Sequence, residues 1–412
     1  MKHNKTSLAV GVALALGSAS AAYAEIGFKA GDWDLTLSGN VNGFATWNKC
    51  DSSATVVLGG LACSKPANGG VDEQAIESGL LPSALVFAAK SRQSNLDVGV
   101  TLGFYPGITS SATGKHGIGA STIDLRQNFL TFGDKSWGTV KVGRDIGLFA
   151  SDAILSDMTL LGVGSGAAFL GGNTTLGRIG VGYIYTDWIP QITYASPNFG
   201  GFSAAVGVFQ GIDIVPFSGS PTSATVTGHE TPGFQAKASY EWKGRFGGKV
   251  WVSGMQQKDK ARTGEAPAGA SVSGTGFDIG GKVGFGGLEA VAYAYSADGL
   301  GTTAIGFDAA SLVGASLEKR KSSGGYVQAT YKIGAFKPGV SYGRSDLKLA
   351  SNESTATNPN LVKRNKSWVL GLYYSLTPSL NLVAEYIPTQ AENQAGGTIK
   401  DKATALGAIL FF

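Results

Sequence analysis

Sixteen short runs of alternating apolar and polar residues fill the chain beyond residue 24, and no apolar stretch there reaches the roughly 18 residues a membrane helix needs. The runs fall near 33–48, 80–91, 95–106, 122–133, 138–146, 178–195, 201–212, 232–243, 248–258, 275–285, 288–297, 323–333, 337–348, 365–376, 379–389 and 402–412. Alternation with period two marks a strand with one apolar face. In the eighth run Phe234, Ala236, Ala238, Tyr240 and Trp242 share one side, opposite Gln235, Lys237, Ser239, Glu241 and Lys243. The tenth sets Phe277, Ile279, Val283 and Phe285 against Asp278 and Lys282. Glycine, at 62 residues, follows no short fixed period, so collagen-like and solenoid readings fail.

The connections alternate in length. Tight turns rich in Gly, Pro, Asn and Ser, such as Ser91 to Asn95, Pro197 to Gly200 and Leu376 to Ser379, are separated by long segments near 49–79, 107–121, 147–177, 213–231, 259–274, 298–322, 349–364 and 390–401. Short turns on one side, long loops on the other and an even number of strands of about ten residues match a membrane-spanning barrel. In lipid only helices and closed barrels satisfy every backbone polar group. A soluble β-sandwich shows the same alternation, and number and closure separate the two. The expected fold is therefore all-β, a transmembrane antiparallel β-barrel of 16 strands. Such a barrel is too wide for side chains alone to fill, so water is expected inside. Lys237, Glu241, Lys282, Gln328, Lys332 and Glu385 are then expected to stay solvated, because burying an unpaired ion costs several kcal/mol. Tyr240, Trp242, Trp368, Tyr374 and Tyr386 are expected to form interfacial girdles.

The ends point outside the cytoplasm. Lys2 and Lys5 precede an apolar stretch from Leu8 to Gly17 and then Ala22-Tyr23-Ala24, a pattern that reads as a cleavable signal over residues 1–24, leaving one domain over 25–412. The whole chain carries 33 Lys and Arg against 29 Asp and Glu, and the leader takes away two lysines and no acid. The remainder is almost neutral, which argues against a nucleic-acid binder. In an oxidising compartment Cys50 and Cys63 favour one local disulfide over two free thiols. No metal-ligand set accompanies them and no cofactor is called for. An enzyme is disfavoured, because His116 and His229 lie in expected outer loops without a nucleophile and an orienting partner, and Asp72-Glu73 reads as loop charge.

Two motifs carry a family resemblance: Trp137-Gly138-Thr139-Val140-Lys141-Val142-Gly143-Arg144-Asp145 ahead of a long segment, and Ile192-Thr193-Tyr194-Ala195-Ser196-Pro197-Asn198-Phe199-Gly200-Gly201-Phe202. With the final strand ending at Phe412, the chain resembles the trimeric, sixteen-stranded general diffusion porins of Gram-negative outer membranes. The resemblance is detectable over the first half and the C-terminus. It implies a homotrimer among lipid and lipopolysaccharide, with Phe412 read by the assembly machinery. It also implies a third loop, about 146–177, folded into the barrel.

By that resemblance Asp152 and Asp157 supply the acidic side of a constriction, and Arg144 and Arg178, joined by Arg126 and Lys141, the basic side. Opposed charges would set a transverse field on passing solutes. The aliphatic content of the loop, Leu155, Met158, Leu160, Leu161, Phe169 and Leu170, suggests packing against the inner wall. Two departures stand out. Strict alternation places Arg144 on the lipid side with Val140 and Val142 unless a bulge intervenes, and Asn40, Asn42, Val86 and Ala88 stand where the family has further basic residues. The expected function is passive diffusion of small hydrophilic solutes and ions, weakly selective and anion-leaning. A substrate-selective channel with Tyr293, Tyr295 and Tyr326 as a solute track is the alternative, ahead of a surface adhesin or a barrel hydrolase.

Overall fold

The computed structural model describes residues 26–51, 55–63, 72–108, 123–165, 174–265 and 267–412. In chain order the strands are β1 (Ile26–Ala30), β2 (Trp33–Cys50), β3 (Glu73–Glu77), β4 (Ala84–Gln93), β5 (Leu96–Pro106), β6 (Ile123–Asp134) and β7 (Gly138–Ile146). There follow β8 (Trp188–Ala195), β9 (Phe202–Phe209), β10 (Gly233–Trp242), β11 (Gly247–Lys260), β12 (Ser271–Phe285) and β13 (Leu288–Asp298). The last are β14 (Ala310–Val313), β15 (Ser316–Lys319), β16 (Lys321–Tyr331), β17 (Phe336–Lys348), β18 (Val362–Ser375), β19 (Leu380–Asn393) and β20 (Thr398–Phe411). Eighteen of them form one sheet, while β14 and β15 pair apart as a hairpin. Within that sheet β1 and β3 are short strands added to β2, which leaves sixteen in the wall.

Neighbouring wall strands pair antiparallel, and β20 returns to β2, with Asn40 opposite Phe411. Beyond the last ladder pair, the Gly39 amide donates to the Phe412 carbonyl at 2.8 Å and the Phe412 amide donates back at 3.0 Å. The final residue thus helps close the sheet, removing the open edge that lipid would not tolerate. Apolar side chains point outward: Phe234, Phe277, Ile279, Leu370, Leu406 and Leu410 are all exposed. So large an apolar surface is an aggregation hazard in water and the proper covering of a barrel in lipid. Tyr240, Trp368 and Tyr386 are exposed on that face, and tilted outer ring pairs occur at Phe336–Tyr374 (4.6 Å) and Tyr342–Trp368 (4.8 Å).

The wall follows the alternation read from sequence, with one clear correction. The sixth strand, expected from 178, begins only at Trp188. Residues 178–187 belong to the long segment before it, with Val181, Tyr183 and Ile184 fully buried. An apolar run can face lipid or an interior, and period alone does not tell them apart. Cys50 and Cys63 form the expected disulfide, with Cα atoms 5.2 Å apart. It holds the first long loop over the mouth, where Val57, Ala62 and Cys63 pack with Leu347, Leu361, Val362, Ala391 and Ile399. The expected leader at 1–24, and His116, Phe169 and Leu170, lie outside the described residues.

Candidate pore constriction

Between β7 and β8 the chain leaves the wall and crosses the lumen. Ala150, with φ of 59°, turns the backbone into the short helix α1 (Ser151–Leu155), and a 3-10 turn follows at Met158–Leu161. A loop inside a barrel must satisfy its backbone amides on the wall, and here inward side chains do so. Gln235 of β10 accepts from the Leu148 and Phe149 amides at 2.8 and 3.0 Å. Asp278 of β12 accepts from Ala150 at 2.8 Å, and Gln328 of β16 from Met158 at 3.0 Å. Glu385 of β19 accepts from both Val163 and Gly164 at 2.9 Å. The hydrogen bonds follow the wall from β10 to β19. Apolar packing follows the same route: Phe149, Ile154, Ile179 and Tyr183 lie against Trp251, Met255, Tyr293 and Tyr326.

Asp157 ties the outgoing limb to the returning one. Its carboxylate accepts from the Thr159 amide (2.9 Å), the Arg178 amide (3.1 Å) and the Tyr183 hydroxyl (2.8 Å). Burial is the largest influence on its carboxyl and holds it above the ordinary range, although Arg178 and these donors pull it down. Asp157 is therefore a bracket inside the loop. Arg178 also differs from expectation: it stands in the loop, fully buried, with its guanidinium on Ser341 (Nε to Oγ, 3.0 Å) and Ser367 (Nη1 to the carbonyl, 2.9 Å). It fastens the returning limb to β17 and β18 and does not line the wall opposite the loop.

The remaining expected residues separate. Arg144 continues the ladder without a register shift, opposite Asn128 and Pro190, and is exposed on the face of β7 away from Lys141 and Asp145. The bulge that would carry it inward is absent from β7. A bulge lies instead in β6, where the register jumps between Gly103 and Phe104 and Arg126 falls at the jump. Arg126 sits over the Tyr105 ring at 5.5 Å and bonds Asp124 at 3.1 Å. Lys141 is paired with Asp145 and lies over the Phe129 ring at 5.1 Å. Asp152 meets two wall cations, Lys237 at 2.9 Å and Lys249. Burial pushes the Asp152 carboxyl up, but the two ammonium groups outweigh it and hold it at about 2.

Sequence reasoning missed the seating residues. Gln328 and Glu385 were expected to be solvated, yet both are buried and bonded to the loop, and the three tyrosines offered as a track are buried beneath it. It also undercounted the lumen cations. Lys249 and Lys282 are directly opposed on β11 and β12, and Lys337 stands within electrostatic reach of Glu289, Lys282 and Lys332. No carboxylate among the described residues forms an ion pair with Lys282, Lys332 or Lys337. Above the loop, Arg320 binds Glu353 (2.6 Å), Thr222 (3.0 Å) and Ser223 (2.7 Å), joining three outer loops. His229 lies between Asp213 (2.8 Å) and Asp259 (3.0 Å).

A closed sixteen-stranded barrel, apolar outside and crossed by its own third loop, defines an outer-membrane channel. The model of the Gram-negative porin family matches residues 9–394, and the chain belongs to that family. It is an outer-membrane diffusion channel of a Gram-negative bacterium. No curated protein matches it in sequence. Solved structures share the fold. The outer membrane channel DcaP of Acinetobacter baumannii is 17% identical with a TM-score of 0.69, covering 94% of this chain and 99% of its own. OmpF of Salmonella typhi, in complex with daunomycin, is 14% identical with a TM-score of 0.58, covering 94% and 100%. In-vitro folded OmpT of Vibrio cholerae, described as a trimer form, is 14% identical with a TM-score of 0.51, covering 92% and 99%.

Proposed function

We propose that the channel passes small hydrophilic solutes and ions down their gradients without binding any one class, with a weak preference for anions. The observation that carries this reading is the third loop seated on Gln235, Asp278, Gln328 and Glu385, which narrows the lumen and sets the size limit. The anion preference rests on Lys282, Lys332 and Lys337, which face the lumen without ion-pair partners among the described residues, and on Glu241 and Glu289 as the nearby acids. No step in this work requires catalysis. The chain is exported by its first 24 residues and works as a homotrimer surrounded by lipid and lipopolysaccharide, an arrangement supported by the trimer form described for OmpT of Vibrio cholerae. Phe412 is the residue its assembly machinery reads.

Planar-bilayer recording tests the reading. The mature chain gives steady conductance without added solute, with a reversal potential in a salt gradient shifted modestly toward the anion. Strong cation preference rejects the selectivity, and block by one solute class at low concentration favours a substrate-selective channel.

A further inference from the structure

The first long loop, between β2 and β4, is fastened to the third loop at two places. Near β4 the Leu80 amide donates to the Gly162 carbonyl at 2.9 Å, and the Thr175 amide donates to the Gly79 carbonyl at 3.1 Å. Two adjacent residues of the first loop thus bond the outgoing and the returning limb of the third. Gly79 is itself anchored to the wall, because its amide donates to the Asn42 side chain of β2 at 2.9 Å. Leu80 is buried, and its side chain lies so close to Gly177 that a Cβ there would collide with it.

Leu61 makes the second contact. It is buried in one cluster with Ile179, Val181 and Tyr183 of the returning limb. Gly180, with φ of 74°, turns the limb beneath it, and a Cβ at Gly180 would stand 2.5 Å from Leu61 Cδ1. The segment that presents Leu61 is bonded along its length. Asn393 of β19 donates to the Val56 carbonyl at 2.9 Å, and the Leu58 amide donates to the Asn360 carbonyl at 2.8 Å. The Leu61 amide donates to Oδ1 of Asn365 on β18 at 3.0 Å, and the Cys63 amide to Oδ2 of Asp401 on β20 at 2.7 Å. The segment therefore leaves β2, reaches β18 and returns to β20. There the Cys50–Cys63 disulfide joins it back to the last residue of β2 and closes it as a ring. Surface loops held by a few side-chain bonds open locally at little cost, and the cross-link limits how far this one can swing.

We propose that the first loop positions the constriction: Leu61 and Leu80 hold the returning limb of the third loop, and the Cys50–Cys63 disulfide keeps Leu61 seated. Both leucines are positioning residues that act through Gly177 and Gly180. Arg178 ties the same limb to β17 and β18, so the limb is gripped between the wall and the first loop. A disulfide at the mouth then bears on the width of the passage below it. The inference rests on the reading that the third loop sets the size limit.

The test measures single-channel noise and the size limit for neutral sugars in the full mature chain, by planar-bilayer recording and liposome swelling. Leu61→Ala leaves the wall ladder untouched and keeps the folded band on unheated gels. It gives noisier openings and a severalfold rise in uptake of a sugar at the edge of the wild-type limit. Leu61→Met refills the space and returns both readouts to the wild-type level. Cys50→Ser with Cys63→Ser changes both as Leu61→Ala does, and combining the three substitutions adds nothing further, because they release one contact. Phe217→Ala, which removes a 4.2 Å stack on Phe307 elsewhere in the outer loops, leaves both unchanged. Should the cysteine variant give no folded band, Leu80→Ala replaces it, with the same rise in noise and uptake expected. Wild-type noise and size limit in folded Leu61→Ala, or in the folded cysteine variant, overturn the proposal, as does failure of Leu61→Met to restore them. If deleting Leu155 to Gly172 raises the size limit while Leu61→Ala does not, this proposal fails and the channel reading stands. If the deletion leaves the limit unchanged, the channel reading fails and takes the proposal with it.

Discussion

The amide of Val163 donates to Oε2 of Glu385 at 2.9 Å, joining the third loop to a strand 222 positions further along the chain. The same oxygen receives the Gly164 amide, and the other carboxylate oxygen takes the Tyr373 hydroxyl at 2.8 Å. Glu385 is 2% exposed, so its loss orphans three buried donors, each costing about 1–3 kcal/mol. Glu385→Ala is expected to leave the barrel folded, because the wall ladder is untouched, and to free this end of the loop. Single-channel recordings should show noisier and larger conductance, and liposome swelling should admit larger sugars.

Gly343 tests the other limb. A Cβ there would collide with the Val181 carbonyl oxygen, which is backbone and has no rotamer to yield. Gly343→Val is expected to push residues 178–184 off β17 and change conductance, while the folded band on unheated gels persists. Unaltered conductance would show that the returning limb does not border the passage.

Arg178 and Arg144 separate the structure from the resemblance. Neutralising Arg178 removes the clamp on Ser341 and Ser367 and is expected to act on loop stability, read as excess channel noise. Neutralising Arg144, on the outer face, leaves reversal potential unchanged. On the proposed reading, selectivity rests on Lys282, Lys332 and Lys337. Changing all three to Gln is expected to shift the reversal potential in a tenfold salt gradient toward the cation, because rings of charged side chains lining a pore set its ion preference.

The cap of outer loops carries a pH dependence. Burial pushes the Glu353 carboxyl up, but hydrogen bonds from Arg320 and Thr222 outweigh it and hold it at about 2, below the ordinary value of about 4.3. A depressed carboxyl contributes stability above its unfolded value, and this is lost as pH falls through the folded one. Contacts among the three loops should therefore weaken between about pH 4.3 and pH 2. Glu353→Gln should produce the looser loops already at neutral pH, seen as faster protease nicking near residues 299–320.

The barrel was legible because lipid imposes a simple code. Where one face meets hydrocarbon and the other does not, Phe234 to Trp242 and Phe277 to Phe285 must alternate, and they do. The loop obeys no such code. Ile179, Val181 and Tyr183 alternate with smaller residues like a wall strand, yet they bury against the inside of the barrel. An inward polar residue such as Glu385 has the same pattern whether water or a loop amide meets it. The resemblance placed the third loop in the lumen but assigned Arg178 to the wall. Only the folded path of residues 174–187 shows that the residue belongs to the loop.

The central claim is that a loop seated across a watery cylinder sets what passes. Its most direct test is the size limit for neutral sugars, measured by liposome swelling, before and after deletion of Leu155 to Gly172. A higher limit together with a larger unitary conductance is predicted, and an unchanged limit in a folded, conducting barrel would contradict it.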